Sequence, residues 1–290
     1  MQDTKINGTI AFIGAGSIAE ALIGGMIEKS IASPEQIFAV NGQNDERLAY
    51  LRGKYGIRAS RMPEERDEAI RGAAIVVLNM KPKDAAAAVA DYRHLLRPEQ
   101  LIVSVIAGLS VATIRRLLGG SFPVARTMPN TSSAIGLGAA GVSFSDGVAP
   151  SQRESALSLF RAIGEASVVD EDRLDIVTGV SGSGPAYIYY VMEAMIAAGV
   201  QGGLTEETAR ALTVQTVLGA AQMVKATNET PQALRRKVTS PNGTTQAAIE
   251  LLEANGVGDH IGRAVLRAAE RAREIGRDLA EQTIASGKQV

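Results

Sequence analysis

Apolar residues fall along this chain of 290 residues in two different rhythms. In the first half they come as short continuous runs. These are TIAFIG (9–14), QIFAV (36–40), AAIVVLNM (73–80), LIVSVIA (101–107), FPVARTMP (122–129), GVSF (141–144) and ASVVD (166–170). Short runs rich in β-branched residues predict buried strands. Helically spaced stretches separate several of them, at 84–95, 110–118 and 151–163. Strand–helix alternation of this kind predicts an α/β domain over residues 1–171, with a doubly wound, mostly parallel sheet and right-handed crossovers.

After about residue 171 the strand rhythm stops. PAYIYYVMEAMIAAGV (185–200) opens with Pro185, which suits the first turn of a helix. TEETARALTVQTVLGAAQMVKA (205–226) opens with Thr205 and two acids, a favourable helix start. TPQALRRKV (230–238) starts with Thr230 as cap and Pro231 behind it, and a long amphipath fills 258–284. Residues 172–290 therefore read as an all-helical second domain. The stretches 185–200 and 205–226 are apolar over most of their circumference. Helices of that kind are buried. They are either a core pair or, as the composition favours, the interlocking helices of a homodimer.

Composition narrows the function classes. The chain is 46% hydrophobic with a formal net charge of −1, which gives no footing for nucleic acid or an anionic membrane. It has no cysteine, so disulfides, thiolate catalysis and the usual zinc sites are excluded. His94 and His260 stand in no metal-spaced motif, and no metal is expected. No apolar run approaches the roughly 20 residues that span a bilayer. The N-terminus enters a strand without a leader pattern, so a cytoplasmic protein is expected.

The candidate chemistry begins at the first strand. Gly14-Ala15-Gly16-Ser17-Ile18-Ala19 follows it and opens a helix, the context in which G-x-G-x-x-G/A binds a dinucleotide. The first glycine permits the turn, the second lets a pyrophosphate approach, and Ala19 lets helix and strand pack closely. The free N–H groups of the helix start then face the phosphates. Strand two ends in Asn41-Gly42-Gln43 rather than an acid, so a 2′-phosphate is admitted and NADPH is expected, with NADH allowed. Arg47 or Arg66 is available to pair with that phosphate. Asp45, turned inward, would favour NADH instead.

The ends of the later strands are expected to line the nicotinamide half. They read Asn79-Met80-Lys81-Pro82, Ala107-Gly108 and Met128-Pro129-Asn130. Lys81 also reads as an ordinary helix-start lysine, and Asn130 as an asparagine bonding its own turn. No tuned acid–base residue stands out. The histidines lie in helices, and Tyr187, Tyr189 and Tyr190 belong to the apolar helix. That suits a hydride acceptor that is already cationic, such as a protonated imine. The remaining polar cluster is KVTSPNGTTQAAIE (237–250). It is a turn and helix cap, or a helix N-terminus that offers its N–H groups to an anion.

Taken together, these stretches resemble the pyrroline-5-carboxylate reductase family. The likeness rests on IAFIGAGSIAEALIGG (10–25), NMKPKD (79–84), SVIAGLS (104–110), ARTMPNTSSAIGLGAAG (125–141), VSGSGPAYIYYVMEAMIAAGV (180–200), TVQTVLGAAQMV (213–224) and VTSPNGTTQAAIELLE (238–253). It implies NAD(P)H-dependent reduction of 1-pyrroline-5-carboxylate to L-proline. It also implies a Rossmann-like N-terminal domain, a helical C-terminal domain that binds substrate and dimerises, and a decamer of five dimers. By position, Ser240, Asn242, Gly243, Thr244 and Thr245 hold the substrate carboxylate and ring, joined by Met128, Pro129 and Asn130. The Thr245 hydroxyl lies near the ring nitrogen. Two positions depart from the family pattern. Asn242 replaces the first of two glycines, and Asn41-Gly42-Gln43-Asn44 replaces a Ser or Arg suited to a 2′-phosphate. A six-membered cyclic imino acid as substrate, or a cofactor-binding paralogue without activity, are the alternatives.

Overall fold

A strand buried on both faces needs an unbroken apolar run, and a parallel sheet buries both faces. The computed structural model, which describes residues 5–42 and 44–287, turns the runs of the first half into such strands. The chain runs β1 (Ile10–Ile13), α1 (Ser17–Glu28), β2 (Ile37–Val40), α2 (Asp45–Tyr55), β3 (Arg58–Ala59), α3 (Pro63–Gly72), β4 (Ile75–Leu78) and α4 (Ala85–Tyr92). It continues through β5 (Leu101–Ser104), α5 (Val111–Leu118), β6 (Val124–Met128), β7 (Gly138–Phe144), α6 (Pro150–Arg161), β8 (Gly164–Val168) and the one-turn α7 (Leu174–Val177). The strands form one sheet in the order β3-β2-β1-β4-β5-β6-β7-β8. Every pairing is parallel except β6 with β7.

Alternate residues feed two cores, one on each face. Ile10 and Phe12 of β1 pack with Leu22, Met26 and Phe160 on one side. Ile13, Val40, Leu78, Val89 and Ile114 fill the other. The strand order reverses between β1 and β4, the switch point where sheets of this kind bind ligands beyond the carboxyl ends of their strands.

Several elements depart from the sequence pattern, among them α2, β7 and β3. Helix α2 (DERLAYLRGKY) buries only Leu48 and Leu51, too narrow a stripe to read as periodicity. Its start is fixed by Asn44, whose Oδ1 accepts the Arg47 N–H at 2.8 Å. Strand β7 begins at Gly138, not 141, because the Gly-Ala-Ala-Gly run lets neighbours approach. A Cβ on Gly141 would come within 2.8 Å of Val177. Strand β3 has only two residues.

The chain divides into two compact units: one runs to Ser183 and resumes at Arg267, and the other is Gly184–Leu266. The boundary expected at 171/172 thus falls inside the first unit. Leu174 is buried there, and Val177 lies on Gly141. The late part of the last helix also belongs to this unit. A Cβ on Gly276 would come within 2.7 Å of the Gly108 carbonyl oxygen, just beyond β5.

The second unit holds α8 (Gly184–Gln201), α9 (Glu206–Thr227), α10 (Pro231–Lys237), α11 (Thr244–Ala254) and the first part of α12 (Val257–Gly287). Thr205 and Thr230 cap α9 and α10, each accepting a backbone N–H at 3.2 Å. Within Gly184–Leu266 the buried residues are Ala209 and Thr213. Helix α8 has none. Tyr190, Leu212 and Leu251 are 75%, 57% and 65% exposed. The core-pair reading of these helices is therefore corrected, since their apolar residues point outward in a single chain. No helix among the described residues is long and apolar enough to cross a membrane.

The Gly108–Gly276 contact gives a direct test of where α12 sits. Overpacking it by Gly276→Val is expected to lower Tm by about 3–8 °C in a thermal melt. An unchanged Tm would show that α12 is not seated on the end of β5.

Candidate active site

The glycine-rich turn contains two glycines with different physical duties. Gly14 has φ 105°, and a Cβ there would run into the Asn79 carbonyl oxygen, so the turn itself requires glycine. Gly16 has φ −74° and ψ −173°, ordinary extended backbone. A Cβ on it would lie 3.4 Å from Asn79 Nδ2, an ordinary contact. Nothing in the fold demands glycine at 16. What its missing side chain provides is open backbone for a ligand to approach.

Gly16 is also the N-cap of α1 and supplies no capping side chain. The first helical bond runs from Glu20 N–H to the Gly16 carbonyl at 3.0 Å. The N–H groups of the first turn are thus left for an anion. The turn opens on a cleft of about 730 Å³ lined by Gly14, Ala15, Gly16, Ser17, Asn41, Gly42, Asn79, Met80 and Lys81. All nine were expected from sequence. Of the other expected cofactor residues, Ile18 packs partly against the core, and Pro82 opens a short 3₁₀ turn. Gly108 meets Gly276, with Ala107 half-buried beside it. Gln43 lies outside the described residues.

The cleft also takes in residues that the pattern along the chain did not single out, among them Glu20, Lys83 and Asp91. Glu20 is the centre of a polar cluster between α1 and α2. It accepts from Arg47 at 2.6 Å, Tyr50 and Lys54 at 2.9 Å and Tyr55 at 3.2 Å. Burial raises its pKa, but the hydrogen bonds from Lys54, Arg47 and Tyr50 prevail and hold it at about 2. Lys54 is pushed up in turn by its bonds to Tyr50 and Glu20. Arg47, a candidate for a 2′-phosphate, instead donates from Nε to the Ala15 carbonyl at 2.7 Å. Arg66, the other candidate, pairs with Asp67 at 2.7 Å and is not in the cleft lining. The Asp45 carboxylate turns to Arg61 at 2.9 Å and is not in that lining either.

Beyond β6 the chain is locked. Arg126 is 8% exposed and pairs with Glu171 at 3.1 Å and Asp175 at 3.7 Å. Glu171 also accepts the Val111 N–H at 2.7 Å, at the start of α5. Asn130 donates from Nδ2 to the Ser181 carbonyl and accepts the Ala139 N–H, both at 3.1 Å. Its side chain therefore bridges two other segments, and only its backbone carbonyl bonds its own turn, accepting the Ser133 N–H at 3.2 Å. Pro129 is buried, and Met128 Cε lies against Gly182.

In the second unit, the segment Ser240–Thr245 forms a tight turn into α11. Gly243 N–H bonds the Ser240 carbonyl at 3.0 Å. A Cβ on Gly243 would collide with Ser240 Oγ. Asn242 takes φ 58°, the left-handed region that asparagine tolerates better than most residues. Its N–H is tied to Gln246 Oε1 at 2.7 Å. Gly243 is the N-cap of α11 and offers no side chain. The first helical bond is Ala247 N–H to Gly243 O at 3.2 Å, so the preceding N–H groups of the turn have no helical partner. The Thr245 hydroxyl is half-buried and has no hydrogen-bond partner among the described residues. Among those residues no cluster of His, Asp and Glu is placed to hold a metal.

This arrangement has relatives. Residues 171–275 match the family model described as pyrroline-5-carboxylate reductase dimerisation, and residues 9–108 match NADP oxidoreductase coenzyme F420-dependent. Pyrroline-5-carboxylate reductase 1 of Bacillus spizizenii is 40% identical over 276 residues, covering 95% of this chain and 92% of that protein. A solved pyrroline-5-carboxylate reductase from Coxiella burnetii superposes with TM-score 0.87 at 34% identity, covering 93% of this chain and 99% of that one. The Plasmodium falciparum pyrroline carboxylate reductase with NADP bound gives TM-score 0.81 at 26% identity, with coverages of 94% and 99%.

The two glycines predict different mutants. Gly16→Val is expected to keep its Tm within about 2 °C of wild type while NADP+ binding, followed by titration calorimetry, weakens at least about 30-fold. Wild-type affinity in that variant would show that no phosphate approaches the turn.

Proposed function

The chain belongs to the pyrroline-5-carboxylate reductase family, and on that premise we propose how its parts divide the reaction. It reduces 1-pyrroline-5-carboxylate to L-proline with NAD(P)H, the last step of proline biosynthesis. The observation that carries the division is that two helices, α1 and α11, each begin at a glycine N-cap with unpaired first-turn N–H groups. Each is a ready anion site.

In this reading the start of α1, with Gly14–Ser17, takes the pyrophosphate, and Asn41 and Gly42 take the adenosine ribose. The open backbone at Gly16 fits that group. Asn79, Met80 and Lys81 line the same cleft and complete the cofactor's seat. When bound, the reduced nicotinamide supplies the hydride.

The start of α11 takes the substrate carboxylate. Ser240 and the N–H groups of Thr244 and Thr245 hold it, and Asn242 shapes the loop through its positive φ. The Thr245 hydroxyl, without a partner among the described residues, bonds the ring nitrogen. A protonated imine accepts hydride at carbon while its π electrons move to nitrogen, which cancels the ring charge. No alkoxide forms, so no tuned histidine is required. Met128, Pro129 and Asn130 belong to the first unit and keep their expected place near the substrate only as part of this reading, the Asn130 amide being already used within that unit.

The outward apolar residues of α8 and α9 supply the homodimer contact in this reading, and a decamer of five dimers is the larger assembly. Two such faces, brought together, bury the Tyr, Leu and Met side chains that one chain leaves in water. A cytoplasmic location goes with it, because the reduced cofactor and the imino acid are soluble metabolites of that compartment.

Oxidation of NADPH and NADH at the nicotinamide band, with pyrroline-5-carboxylate as acceptor, tests this division through Thr245→Ala. The variant is expected to lose about 10- to 100-fold in kcat while its Kd for NADP+ stays within twofold. Full turnover, or an equal loss of cofactor affinity, would remove Thr245 from the role given to it.

A further inference from the structure

We propose that Glu20, acting through Arg47, is a positioning residue that sets how strongly the cofactor cleft prefers a dinucleotide bearing a 2′-phosphate over one without it. The inference rests on the reading of that cleft as the NAD(P)H site. Arg47 lines the same cleft as Asn41, Gly42 and Asn44, at the end of β2. The ribose 2′ position belongs at the end of that strand in folds of this kind.

The guanidinium of Arg47 is divided between two tasks. Its Nε is spent on the Ala15 carbonyl at 2.7 Å. Its Nη2 is spent on Glu20 at 2.6 Å and, at 3.4 Å, on the Gly16 carbonyl. Its Nη1 has no hydrogen-bond partner among the described residues. The ring of Tyr50 lies 5.2 Å from the guanidinium carbon and supports it from one side. One face of the fork thus braces the glycine-rich turn, and the other is left for an oxyanion.

The charge balance makes Glu20 the control. The cleft lining carries three cations, Arg47, Lys81 and Lys83, against three carboxylates, Glu20, Asp84 and Asp91. The Glu20 carboxylate is shared between Arg47 and Lys54, with side-chain exposures of 23%, 47% and 21% for Arg47, Lys54 and Glu20. It therefore damps two positive charges at once. Neutralising it leaves the fork in place through Ala15 but releases its charge toward the cleft. A 2′-phosphate adds about two negative charges to the ligand, so it gains more from that release than NAD+ does.

The test is the ratio of dissociation constants, Kd for NAD+ over Kd for NADP+, measured by titration calorimetry on the wild type, Glu20→Gln and Arg47→Gln, with Tm as a check on folding. Glu20→Gln is expected to raise the ratio about fivefold, and Arg47→Gln to lower it by about as much. A brace that only shaped the turn would weaken both nucleotides together and leave both ratios at the wild-type value, which would overturn the proposal. If Glu20→Gln does not fold, Arg47→Gln decides alone: an unchanged ratio there overturns it. Failure of the wild type to bind either nucleotide would instead sink the reading of the cleft itself.

Discussion

Backbone N–H groups at the start of a helix must find an acceptor, and at the starts of α1 and α11 the N-cap residue gives none. Helices α2, α5, α9 and α10 are capped by Asn44, Ser110, Thr205 and Thr230. Helices α1 and α11 begin at Gly16 and Gly243, which have no side chain to give. A glycine at the cap leaves the helix dipole and its free donors to whatever anion arrives. In the proposed division these two places take the dinucleotide pyrophosphate and the carboxylate of the imine.

Rigidity comes from different sources at the two places. At α1 the turn is held by Gly14 against Asn79 on one side and by the Arg47 fork on the other. The fork is oriented by Glu20, whose carboxylate stays ionised because three donors outweigh its burial. At α11 the turn is held by the Ser240–Gly243 backbone bond and by Gln246 gripping the Asn242 N–H. Neither turn uses its own first-turn N–H groups to hold itself. The donors are left over because bracing was assigned to other atoms.

Much of this was legible along the chain. Strands with unbroken apolar runs announced a buried parallel sheet, and G-x-G-x-x-A between strand and helix announced the cleft. The positive φ of Asn242 follows from its place between proline and glycine in a turn. What escaped did so for physical reasons. Helix α2 is held by two leucines and a cap, a signal below that of a surface loop. Glu20 and Arg47 stand 27 residues apart, and only the packing of α1 on α2 makes them partners. The strand start at Gly138 reads as a turn because small residues serve turns and close sheet packing equally. The division of the chain near Ser183 was hidden since α12 runs continuously through two units. Asn130 looked like a polar group available to a ligand, yet both ends of its amide are spent within the protein, on Ser181 and Ala139.

The apolar outward faces of α8 and α9 look like a defect in one chain and become sense in an assembly, in keeping with the dimerisation family that residues 171–275 match. The central claim, that two uncapped helix starts receive two different anions, is open to one direct measurement. Amide hydrogen exchange read by mass spectrometry would be followed with NADP+ alone and with L-proline alone. The account predicts that NADP+ slows exchange in the segment around residues 14–20 and that L-proline slows it around 240–247. Protection of neither segment, or protection of both by either ligand alone, would contradict it.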